Sequence, residues 1–405
     1  MAQLLSRGAL AAAALAALAA CAGEPKGLVP VSAAGSGSQS GPDALVLRLP
    51  IAGGTPHVYS YTHLDSVIWS GSAPAPAVDH VLGFDEDAGT VVFVDGQERP
   101  VRIDFRLGQA DRLAADPVLQ AVSEDGSSVY GVDARGNVAR LTPTANWTFK
   151  PPLPARAVFP QHDGTAVVVG GRNGATTAWK IFPPDVRVLD SVRFPGTWRP
   201  LPEQVGDRLY LIVDSGLVSL AVRTLDWNPP QRFRRPILAA VSSPSGDRVF
   251  VITDASPVIS VVDRYRDEVT DHVDLPGQPR DLRVDPLGRY LLARAATGDS
   301  AWVVAIGTDR PLGAVATAWR RDLPFVGPDG AIALAQGRDV VFVDGETLRP
   351  ARRVAGGASD YWFGFHWNGF RPRASSLDQP VSFNLAAADS ERTAIDAAAA
   401  DSAAR

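Results

Sequence analysis

The chain has 405 residues, 45% of them hydrophobic and 20% charged, enough apolar material for one large repeat domain or two average ones. Its formal net charge is −5, and Arg7 is the only charge in the first 20 residues. That mild acidity argues against a nucleic-acid partner, because phosphate binding needs a basic face. A single cysteine excludes an intrachain disulfide and a thiolate metal cluster.

Taken from the start, residues 8–20 form an apolar run of glycine, alanine and leucine. It is too short to span a bilayer comfortably but suits the apolar region of a signal peptide. It ends in Leu18-Ala19-Ala20-Cys21, so the only cysteine stands directly after two small residues. These residues resemble the lipobox of bacterial lipoproteins. The resemblance implies cleavage before Cys21, diacylation of its sulfur and often acylation of the new amine. Two or three acyl chains anchor a protein stably, at about 0.8 kcal/mol per buried CH₂. In diderm families an Asp after the cysteine tends to retain the lipoprotein at the inner membrane. Ala22 stands there instead, which leans toward the outer membrane. Residues 21–43 are rich in Gly, Ser, Ala and Pro and read as a flexible tether.

From residue 80 onward a glycine-containing turn, often with Asp, repeatedly precedes a β-rich run. The glycines fall at 89, 126, 164, 206, 246, 288 and 330, a period near 40 residues. Such a period, with several short strands per unit, predicts an all-β fold, a β-propeller over 44–385. The clearest unit places strands at Leu238–Val241, Val249–Thr253, Val258–Val262 and Val269–Leu275. Its middle strands are apolar on both faces, as expected when each blade is covered by a neighbour on either side. Glycine supplies the positive φ of the turn, and Asp beside it can bond the local backbone.

Ser243-Pro244-Ser245-Gly246-Asp247-Arg248-Val249-Phe250-Val251, Ile259-Ser260-Val261-Val262-Asp263 and Pro276-Gly277-Gln278-Pro279-Arg280 resemble YVTN-type repeats, the group that includes lactonase-like propellers. The likeness is close over 240–295 and looser over 80–355.

Closure of the ring needs strands from the chain ends. Ala44–Leu49, Val58–Tyr61 and Ser66–Trp69 are available in front and Tyr361–Trp367 behind. One closing strand from the front gives seven blades, the favoured count. Three front strands with Tyr361–Trp367 give an eighth, composite blade, the alternative. The Ala-rich residues 386–405 read as a disordered tail.

No catalytic constellation stands out. The six histidines show no zinc-ligand spacing, Asp85-Glu86-Asp87 reads as a solvated turn, and no metal or cofactor is called for. Arginine recurs seven to nine residues before the blade turn, at Arg156, Arg199, Arg280 and Arg321. That position falls near the innermost strand, so the four guanidiniums would meet at one mouth of the channel and draw an anion or carboxylate. Trp198, Trp302, Trp319, Trp362 and Trp367 read as core, or as a carbohydrate or protein surface if they cluster.

The expectation is a lipid-anchored envelope protein, periplasmic or surface-exposed, whose propeller binds an envelope protein or glycan without catalysis. The alternative is a lactonase-like or other hydrolase working at the channel mouth.

Overall fold

A computed structural model describes residues 44–365 apart from 72–73, 86–89, 98, 105–108, 113–117, 123–128, 134, 142–145, 162, 173, 184–185, 202–206 and 286. Cys21, the tether, His162, Glu86, Asp87, His366, Trp367 and the tail lie outside the described residues.

The described residues form eight four-stranded antiparallel sheets, each a simple meander, the architecture of an eight-bladed β-propeller. Seven blades run in sequence. Their innermost strands are Val78–Asp85, Val118–Val122, Ala155–Pro160, Arg199–Pro200, Ile237–Ser242, Pro279–Val284 and Phe325–Val326. Blades are numbered 1 to 7 in that order.

Blade 8 is composite. Its innermost strand is Asp360–Phe365, and its outer three are Leu45–Pro50, His57–Ser60 and Val67–Ser70. The favoured count of seven is therefore wrong and the composite alternative holds. The reason is physical. The seven repeat glycines fall in sequence between the first and second strands of blades 1 to 7. In blade 8 those two strands come from opposite chain ends, so no turn exists there for a glycine to mark. Their pairing runs over six residue pairs from Leu45–Phe365 to Pro50–Asp360. Arg48 clamps it with a 2.6 Å ion pair to Asp360, its guanidinium 4.9 Å from the Trp362 ring centre.

The repeat turns behave as their sequence dictates. Gly164, Gly246, Gly288 and Gly330 all have φ between 66° and 87°, where a side chain would be strained. Asp163, Asp285 and Asp329 accept backbone N–H groups within their turns, from Thr165, Arg289 and Ala331.

The second and third strands are the most deeply buried. Val249, Phe250, Val251 and Ile252 are all fully buried in blade 5, and Val167, Val168 and Val169 in blade 3. Each face feeds a different cluster: Phe250 and Ile252 pack toward blade 6, and Val249 and Val251 toward blade 4. The core is thus a ring of interblade layers, which explains why these strands do not alternate apolar with polar.

Four antiparallel strands return the chain to the face it left. All innermost strands therefore begin on one face of the disc, called here the entry face.

Candidate functional site: the entry-face mouth of the channel

The innermost strands share a local irregularity. Near its start, their pairing with the second strand skips one residue, at Asp79 in blade 1, Gln120 in blade 2, Arg156 in blade 3, Leu238 in blade 5 and Arg280 in blade 6, and blade 1 skips a second, the buried Leu82, further along. A bulge leaves one residue without a cross-strand partner and re-aims its side chain. Asp79, Arg156, Leu238 and Arg280 are exposed. Arg199, the first residue of its short strand in blade 4, is exposed as well. The repeat thus delivers Arg156, Arg199 and Arg280 to the same mouth, together with one carboxylate, Asp79, and one apolar side chain, Leu238.

Arg321 gets there differently. It lies in the loop before the innermost strand of blade 7, and its Nη2 donates to the carbonyl of Leu82, 3.1 Å away. Leu82 belongs to the innermost strand of blade 1. Blade 8 stands between those two blades, so the Arg321 side chain reaches past Asp360–Phe365 on the channel side.

The loop carrying Arg321 fills the blade 6–8 side of the mouth. Arg320 grips the buried Asp322 through two nitrogens, at 3.0 and 2.6 Å, and donates to the carbonyls of Ala358 and Asp360. Asp322 in turn accepts the backbone N–H of Trp362 at 2.8 Å. Arg283, on the innermost strand of blade 6, donates to the carbonyls of Pro324 and Arg320 and lies 4.9 Å from the Trp319 ring centre. Trp319 Nε1 donates to Asp281 at 2.9 Å. Tyr361 sits beside this network. Burial raises its pKa, and the Asp322 and Asp79 carboxylates push the same way against Arg320 and Arg321.

The mouth is therefore asymmetric. Arg283, Trp319, Arg320 and Asp322 are cross-linked by hydrogen bonds on its blade 6–8 side, whereas Arg199 in blade 4 and Arg280 in blade 6 make no side-chain hydrogen bond or ion pair among the described residues. Exposed guanidiniums of this kind suit a carboxylate or phosphate, whose paired oxygens match the planar fork.

Among the described residues no three His, Cys, Asp or Glu side chains converge to hold a metal. His272 lies on an exposed outer strand, His57 meets Ser70 at 2.9 Å, and His80 meets Asp79 at 2.7 Å. Of the tryptophans, Trp198 and Trp362 are buried and Trp302 and Trp319 pack against interblade clusters. Sequence reasoning missed Asp79 and Leu238. Leu238 was within reach, because it precedes Gly246 by the same eight residues that separate Arg156 from Gly164 and Arg280 from Gly288.

No protein-family model and no curated protein matches the chain. Solved structures do. The dihydro-heme d1 dehydrogenase NirN in complex with DHE superposes with a TM-score of 0.56 at 13% identity, over 81% of this chain and 77% of that one. Apo AztD from Citrobacter koseri gives 0.53 at 10% identity, over 79% of this chain and 98% of that one. A second AztD structure from Citrobacter koseri gives 0.53 at 11% identity, over 80% and 98%. At such identities the likeness establishes the shared β-propeller fold and carries no activity across.

Proposed function

We propose that this protein is a lipoprotein of the bacterial cell envelope, anchored through Cys21, whose propeller is a non-catalytic binding or scaffold module with the entry-face mouth as its ligand side. One observation carries the reading: Leu45 and Phe365, at the two ends of the described residues, lie on the face opposite the mouth. Leu45 pairs with Phe365, the far end of an innermost strand, while Asp360 at the near end pairs with Pro50. The tether thus joins the disc on the face opposite Arg156, Arg199, Arg280 and Arg321. A lipid on Cys21 then attaches the disc from the face opposite the mouth and leaves the mouth free. The flexible composition of residues 21–43 suits a stand-off of this kind.

The ligand class follows from the mouth. Arg199 and Arg280 are exposed cations at the rim of a channel, which favours a small carboxylate such as a uronic acid. Two measurements test the reading. Cys21→Ser should move the protein from the membrane pellet to the soluble fraction and abolish incorporation of labelled palmitate. Arg199→Ala with Arg280→Ala should weaken glucuronate binding measured by calorimetry. A Cys21→Ser protein still in the pellet defeats the anchor, and unchanged glucuronate affinity defeats the mouth.

A further inference from the structure

The mouth is one end of a larger charged surface. On the entry face of blades 3 to 5, Lys150, Arg172, Arg199, Arg232, Arg234 and Arg235 are all exposed. Each is placed there by topology. Lys150 follows the outermost strand of blade 2, Arg172 ends the second strand of blade 3, and Arg232 ends the outermost strand of blade 4. Arg234 and Arg235 lie in the connection that leads into blade 5. Over residues 146–275, the described carboxylates on this face are Asp214 and Asp254, in hairpins of blades 4 and 5, and Asp274, which ends the outermost strand of blade 5. Arg235 donates to the backbone carbonyls of Asp254 and Ala255 rather than to a carboxylate.

Six cations against three carboxylates run counter to a chain whose net charge is −5. Clustered charge of one sign raises the local concentration of the opposite sign whatever the sum over the molecule. Five of the six are arginines, which bind oxyanions in pairs of hydrogen bonds. The cluster also extends beyond the channel rim over three blades, a footprint larger than one small anion.

From this we propose that the entry face of blades 3 to 5 binds an extended acidic polysaccharide, one chain end reaching Arg199 at the channel mouth. The choice of a glycan rests on the envelope reading above, in which the anchored residues join the disc on the opposite face. Adjacent sugar carboxylates would meet successive guanidiniums, so affinity accumulates along the chain and falls with salt.

The test uses polyguluronate oligomers as the probe, with neutral dextran as the blank. Arg172→Ser, Arg232→Ser and Arg234→Ser together should lower polyguluronate affinity by about tenfold or more, since each removes a charge contact. These side chains are exposed and make no hydrogen bond among the described residues, so the fold should survive with an unchanged Tm. Arg223→Ser, Arg266→Ser and Arg310→Ser, on the opposite face, should leave the affinity alone. Equal loss in both triples, no loss in the first, or tighter binding of single-stranded DNA than of polyguluronate would overturn the proposal. Monomeric glucuronate separates it from the mouth reading. If the outer triple loses polyguluronate while glucuronate never binds, this surface stands and the mouth falls. If glucuronate binds through Arg199 and Arg280 while the outer triple keeps its polyguluronate affinity, the mouth stands and this surface falls.

Discussion

Tyr61 Oη donates a 2.7 Å hydrogen bond to Asp329, a residue 268 positions away in the turn of blade 7. The bond ties the closing blade to its neighbour across the chain's own ends. Tyr61 is buried, its ring meets Phe342 edge-on at 6.0 Å, and Arg352 lies 4.8 Å from its centre while donating to its carbonyl. Burial and the Asp329 carboxylate both raise the phenol pKa, so the hydroxyl remains a donor throughout the accessible pH range. Tyr61→Phe should cost about 1 kcal/mol, the usual net value of one hydrogen bond. Tyr61→Ala should cost about 3–5 kcal/mol by leaving a cavity between two blades. Urea unfolding of both variants separates the bond from the ring.

Closure makes a second prediction. Trp362 is buried in the innermost strand of blade 8, bonded through Nε1 to the Gly357 carbonyl at 2.7 Å. Trp362→Ala should destabilise by about 3–5 kcal/mol. Removing residues 360–405 should do more, because Leu45–Pro50 then loses its six-pair partner and becomes an open sheet edge. Size-exclusion chromatography should show that truncated protein as aggregate.

A third concerns the face opposite the mouth, where arginines that open second strands reach into the following blade. Arg248 donates to Asp309 and to the Ile306 carbonyl of blade 6, at 3.3 and 3.2 Å. Arg208 approaches Asp267 of blade 5 at 3.6 Å. In a double-mutant cycle, Arg248→Ala with Asp309→Asn should give a coupling of about 0.5–1 kcal/mol, since both side chains are partly solvated. Arg208→Ala with Asp309→Asn should be additive.

The fourth is a pH dependence. Backbone N–H donation from Asn137 holds Asp133 below the ordinary 3.8, and the Ser243 and Ser245 hydroxyls do the same for Asp247. A carboxylate whose folded pKa lies below its unfolded value stabilises above the unfolded value, and that contribution fades as pH falls through the folded one. Tm should therefore hold steady down to about pH 4 and drop below it. In Asp133→Asn the drop should be shallower, which differential scanning calorimetry between about pH 2.5 and 6 would show.

The strands were readable because their burial is local to the sequence. Ile237–Ser242, Arg248–Thr253, Val258–Asp263 and Glu268–Asp274 fall within a residue or two of the expected segments. Glycines 246 and 288 declare their turns because only a positive φ fits. The blade count was not readable in the same way, since it depends on whether Asp360–Phe365 finds Leu45–Pro50, a pairing that leaves no turn motif. The arginines were legible as an innermost-strand position and illegible as a surface. Nothing near Arg321 announces Leu82 as its acceptor, because blades meet through space and not through chain order.

The composite blade also decides how the disc bears load. Leu45–Pro50 lies between two antiparallel neighbours, six pairs on one side and four on the other. A pull on residue 44 runs along that strand's axis, so the force is shared among its ladder bonds at once instead of peeling them one by one. The first described strand is held in shear, the geometry in which a β-sheet resists tension best.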